Sequence, residues 1–127
     1  MSREPSSAAR TILVVDDDPA IRDSVRDLLE AEGYAVRTAV DGEDALEQLA
    51  HMEPPGLILL DLRMPRLDGW QFLARRNGTE DRRVPVVLLS GMTFIRDAPG
   101  VADFLAKPIR PEALLACVQR FCRPPEL

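Results

Sequence analysis

The chain has 127 residues, 46% of them hydrophobic, which is enough for one domain with a core and too little for two. Its formal net charge of −5 argues against a phosphate-backbone binder, because nucleic-acid modules carry a basic face, so no nucleic-acid partner is expected. No apolar stretch approaches the roughly 18 to 20 residues of a membrane span, and the start, MSREPSSAAR, lacks the apolar core of a secretion signal, so a cytoplasmic protein with no membrane partner is expected.

Short apolar runs alternate with segments of helical period, the signature of a parallel sheet covered by helices. After a flexible N-terminal arm, 1–10, the first strand is Thr11 to Val15. Asp18 then caps a helix with Pro19 at its first position, and Ile21, Val25, Leu28 and Leu29 share one face until Gly33 ends it. Tyr34 to Ala39 alternates as a second strand, and Asp41 caps a helix that turns Ala45, Leu46 and Leu49 inward. The run Glu53 to Gly56, EPPG, breaks that helix. Leu57 to Leu60 is the third strand and runs into Asp61; a turn then reaches a short helix from Gly69 to Arg76. Val84 to Leu89 is the fourth strand and Asp103 to Ala106 a brief fifth, before Lys107-Pro108 and a last helix from Pro111 to Cys122. The domain therefore spans 11–122, with 123–127 as a C-terminal tail.

In the last helix, Leu114, Val118 and Phe121 recur at helical spacing and suffice for a core stripe. Leu115, Cys117 and Cys122 widen the apolar surface beyond it. That is a candidate partner or dimer surface, weighed against the ordinary scatter of exposed apolar residues. The two cysteines sit about 140° apart around the helix and are expected as reduced thiols packing as small apolar groups, not as a disulfide.

The chemistry gathers at strand ends. In open α/β sheets ligands bind outside the carboxyl ends of the strands, where the strand order reverses. Asp16, Asp17 and Asp18 follow the first strand, Asp61 the third, Ser90 the fourth and Lys107 the fifth. Three adjacent carboxylates repel one another and call for a compensating cation. Oxygen ligands suit Mg²⁺, and a hydroxyl with a fixed ammonium completes a set fitted to phosphoryl transfer. Asp61, alone at its strand end, is the better nucleophile, and the acidic cluster is the better metal seat. Asp18 reads better as a helix cap than as a ligand. His51, near a helix end, reads as a surface residue, so a phosphoryl donor must be another molecule.

The stretches ILVVDDDPAIRD, LILLDLRMPRLDGW, VPVVLLSG and DFLAKP together resemble the receiver domain of bacterial two-component response regulators, over about Ala9 to Cys122. The resemblance implies a flavodoxin-like three-layer sandwich: a five-stranded parallel sheet in the order 2-1-3-4-5 with five helices. It implies that Asp16, Asp17, Asp61 and the backbone carbonyl of Arg63 hold Mg²⁺, and that Asp61 is the phosphoacceptor. Ser90 matches the hydroxyl that bonds the phosphoryl group, Lys107 the ion-pairing lysine and Phe104 the aromatic switch residue. Phe104 has no hydroxyl, so its inward state depends on packing alone. Lys107-Pro108 resembles the family's cis peptide. The implied activity is that of a phosphoacceptor signalling domain, not a separate enzyme, which catalyses its own phosphotransfer and autodephosphorylation. The implied partners are a sensor histidine kinase or histidine phosphotransfer protein and a downstream protein target, with a homodimer among the candidate assemblies.

The interval from Ser90 to Lys107 is about a turn and a half of helix shorter than the family usually spends, so the fourth helix is expected to be short. The Met1 start and short PPEL end favour a stand-alone receiver. Two other functions stay in view. One is a phosphorylation-independent docking domain, a pseudo-receiver, marked by a missing nucleophile or metal acid; here all the pieces are present. The other is a haloacid-dehalogenase-type phosphatase, echoed by Asp16 and Asp18. It is opposed by Ala20, by the absence of acidic ligands after the fourth strand and by the shortness of the chain.

Overall fold

The computed structural model describes residues 11–62, 64, 68–77, 84–91 and 101–122. Their elements run β1 (Thr11–Val15), α1 (Pro19–Ala31), β2 (Ala35–Ala39), α2 (Gly42–Ala50), β3 (Leu57–Asp61), α3 (Gly69–Asn77), β4 (Val86–Ser90), β5 (Asp103–Ala106) and α4 (Pro111–Phe121). The strands form one parallel sheet in the order β2-β1-β3-β4-β5. The expected arm, tail and short fourth helix lie outside the described residues, so the last of the five expected helices is α4.

The three central strands are buried at every position, and apolar at all but Thr11, Asp61 and Ser90, because both faces of the sheet are covered. Alternate residues divide between two cores. Ile12 and Val14 of β1, Leu57 and Leu59 of β3, and Val87 and Leu89 of β4 pack with Val25 and Leu29 of α1 and with Leu114 and Val118 of α4. Leu13, Val15, Ile58, Leu60, Val86 and Leu88 face the other way, onto Ala45 of α2 and Phe72 and Leu73 of α3. Among the described residues no helix is long and apolar enough to cross a membrane.

Local signals end the elements where the chemistry requires. Asp18 is the N-cap of α1, its Oδ1 accepting from Ala20 N at 2.9 Å, with Pro19 at the first turn. Asp41 caps α2 through Asp44 N. Gly33 follows α1 at φ 93°, a left-handed conformation that favours glycine. The Tyr34 N–H donates back to Leu29 O, which closes the helix and delays β2 to Ala35. Pro85, with no N–H to donate, delays β4 to Val86, although its carbonyl accepts from Ile58 N.

The outward apolar surface expected on the last helix fails for the cysteines. Cys117 and Cys122 are buried free thiols in the core shared with α1, and Leu115 packs half-buried against the same core. Cys117 stands at i+3 from Leu114, so the buried stripe is wider than the narrowest pattern suggests.

Candidate functional site

Because β1 leads to β2 on one side and the chain then returns to β3 on the other, the strand order reverses between β1 and β3, and the crevice there is the natural ligand position. Asp16 lies one residue beyond β1 and Asp61 is the last residue of β3. Ser90 ends β4 and Lys107 follows β5, with its N–H donating to Ser90 O at 2.8 Å. Asp16, Asp17, Asp18, Asp61, Ser90 and Lys107 all line one open cleft of about 640 Å³.

The carboxylates converge. One oxygen each from Asp16, Asp17 and Asp61 lies within 4.8 Å of the others. Lys107 Nζ stands 3.2 Å from Asp16 Oδ2 and 3.2 Å from Asp61 Oδ1, bridging acids on two different strands. Burial alone would push the Lys107 ammonium down, but the charges of Asp16 and Asp61 and their hydrogen bonds outweigh it and hold the group above its ordinary value. One ammonium against three carboxylates leaves the cluster negative, and its all-oxygen donor set fits a hard divalent cation such as Mg²⁺.

The three adjacent acids have separate roles. Asp18 caps α1. Asp16 is fully buried, and its Oδ1 accepts from Asp18 N at 2.9 Å while its Oδ2 takes Lys107. Asp17 is exposed, and among the described residues its carboxylate accepts no hydrogen bond.

Phe104 is half-buried against the core beneath α2 and α3. Its register partner is Leu88, and Ser90 pairs with Ala106 two positions on, so strand alternation gives Ser90 and Phe104 the same face of the sheet. Lys107-Pro108 is cis. His51 is exposed at the C-terminus of α2, its Nδ1 2.9 Å from Glu47 O, toward the sheet edge opposite the cleft. Arg63 lies outside the described residues.

Two roles escaped the sequence. Arg22 Nη1 donates to the Asp16 carbonyl at 2.8 Å. The available signal was its place in the first turn of a helix that opens three residues after Asp16. Gly69 carries the second: a Cβ there would lie 2.7 Å from Asp61 O and 2.9 Å from Leu62 Cα, so α3 packs directly on the end of β3.

The sequence model of the response regulator receiver domain matches residues 12–119. This chain belongs to that family. The receiver domain is 39% identical over 117 residues to the response regulator MprA of Mycobacterium tuberculosis, covering 88% of this chain and 50% of the relative. It is 42% identical over 120 residues to the DNA-binding dual master transcriptional regulator RpaA of Synechocystis, covering 88% and 48%. The chain thus spans about half the length of the curated relatives it matches. Among solved structures, the chemotaxis protein CheY4 of Vibrio cholerae superposes with a TM-score of 0.76 at 32% identity, over 87% of this chain and 97% of that one. Family membership sets aside the phosphatase alternative.

Proposed function

We propose that this receiver domain accepts a phosphoryl group on Asp61 in a Mg²⁺-dependent reaction, from a sensor histidine kinase or a histidine phosphotransfer protein. The observation that carries this reading is the convergence of Asp16, Asp17 and Asp61 with Lys107 reaching both buried acids at 3.2 Å. A carboxylate oxygen of Asp61 attacks phosphorus, the bond from phosphorus to the donor nitrogen breaks, and the imidazole leaves with its electron pair. Lys107 keeps its proton and balances charge on the phosphoryl oxygens. Asp17 and Asp61 would offer oxygens to the cation, Asp16 would add its buried charge, and the resemblance assigns the remaining ligand to the Arg63 carbonyl. The chemistry that bound Mg²⁺ supplies is neutralisation of the two anions that must meet.

Ser90 bonds the transferred group, and its movement lets Phe104 turn inward, so that a local charge biases a packed two-state element read by a downstream protein. The shared face of Ser90 and Phe104 supports this switch. A second groove of about 440 Å³, lined by Ile21, Val25 and Leu28 of α1 and by Ile109 and Leu114, continues the cleft through Ile21 and Lys107. This apolar groove suits the donor protein, which must deliver its histidine to Asp61.

The test is incubation with acetyl phosphate and Mg²⁺ followed by intact mass. The parent gains one phosphoryl group and Asp61→Asn gains none. Removing Mg²⁺ with EDTA abolishes the gain in the parent. An Asp61→Asn chain phosphorylated in the parent's yield would refute the assignment.

A further inference from the structure

We infer that Arg22 is the positioning residue of the acidic pair, placing Asp17 for its cation by holding the peptide that leads into it. The inference rests on the Mg²⁺-dependent reading of the cleft.

Asp16 is engaged at every polar atom. Its N–H donates to Ala39 O at 3.1 Å, its Oδ1 accepts from Asp18 N and its Oδ2 from Lys107. Its carbonyl accepts from Arg22 Nη1 at 2.8 Å. Three of these partners are backbone groups or a residue of the site; Arg22 alone reaches in from a helix. That helix is well anchored, because the Asp18 cap and the Arg22 N–H to Asp18 O bond at 3.0 Å tie its first turn to the same loop. Asp17 has no comparable restraint on its carboxylate, so its position follows from its backbone. The peptide entering Asp17 is the one whose carbonyl Arg22 holds.

The guanidinium exerts two effects of opposite sign. As a cation near a cation site it opposes Mg²⁺ binding, and removing it raises affinity. As a restraint it preorganises a ligand, and removing it lowers affinity. Arg22 is half-buried, so water and salt screen the first effect. Outer partners of metal ligands are worth about ten- to a hundredfold in affinity, so the restraint wins.

The full chain carrying Arg22→Met keeps the length of the stem and loses charge and donors; Arg22→Lys keeps the charge and a donor. Arg22→Ala is a second deletion that preserves helix propensity, and melting in EDTA establishes that each variant is folded. Mg²⁺ affinity is measured by calorimetry, and the Mg²⁺ dependence of acetyl phosphate labelling by intact mass. Both deletions should weaken Mg²⁺ binding about tenfold, while the labelling rate at saturating Mg²⁺ stays near the parent's, and Arg22→Lys should stay within about threefold of the parent. A folded deletion variant that binds Mg²⁺ as tightly as the parent, or more tightly, overturns the positioning role alone. A parent that binds no Mg²⁺ overturns that role together with the reading beneath it.

Discussion

The hydroxyl of Tyr34 is buried in the core between α1 and α4, and among the described residues it has no hydrogen-bond partner. Burial raises the phenol above its ordinary value, with Cys122 and then Glu32 adding to it, so the neutral hydroxyl lies unsatisfied at physiological pH. A buried donor with no partner forfeits its water without replacement, at about 1–3 kcal/mol. Tyr34→Phe keeps the ring and removes the defect, so it should stabilise the domain by about 1 kcal/mol in urea unfolding. A loss of stability of that size would mean that the hydroxyl does useful bonding. At the same scale the run Asp16 to Asp18 was only partly legible. Asp18 showed as a cap because capping is local, four residues being enough to define it. Nothing local separates Asp16 from Asp17, since the ammonium that claims Asp16 sits 91 positions away.

Among the elements, the packing of α3 on β3 has the most direct bearing on the cleft. The Gly69 N–H donates to Leu62 O at 3.1 Å, and its missing side chain lets the helix start rest on the strand end that carries Asp61. A methyl group there meets backbone atoms, which cannot rotate away as a flexible side chain can. Gly69→Ala should therefore cost about 1–3 kcal/mol by overpacking. It should also slow acetyl phosphate labelling of the folded protein, because the displaced backbone is that of Asp61, the proposed phosphoacceptor. Normal labelling with normal stability would show that the strand end yields without consequence. Element boundaries differed from the sequence pattern where a single backbone group was already committed, as with Tyr34 before β2 and Pro85 before β4. Periodicity counts side chains and is blind to such commitments.

Over the whole molecule, four buried or half-buried groups among the described residues make stability fall in alkali. Burial pushes the Cys117 thiol from 9.0 up to about 11, Asp103 adding to this and Arg120 opposing it, and burial also raises Cys122. Tyr34 is raised, and so is Lys107 on balance. In each case the folded state holds its proton more tightly than the unfolded chain. The resulting stability is complete below the unfolded values, beginning at 9.0 for the thiols, and is lost as pH rises through the folded ones. Urea unfolding should give a level stability near neutrality and a decline above about pH 9, with Cys117 responsible for on the order of 2 kcal/mol of it. Cys117→Ala lowers stability everywhere through its cavity but should flatten the slope between pH 9 and 11. Equal slopes in parent and variant would remove Cys117 from the account.

The sequence by itself determined the order of strands and helices, the covering of both sheet faces and the gathering of Asp16, Asp17, Asp61, Ser90 and Lys107 at one edge. These follow from local pattern, because short uninterrupted apolar runs mean strands buried on both sides, and the carboxyl ends of parallel strands share one rim. Tertiary structure alone decided which acid faces solvent, that Arg22 holds the Asp16 carbonyl, that Cys117 and Cys122 join the core and that Gly69 must lack a side chain. Each of these depends on what stands opposite a residue. Spacing along the chain reports the face a residue takes on its own element, whereas the atoms it meets there are set by how distant elements dock.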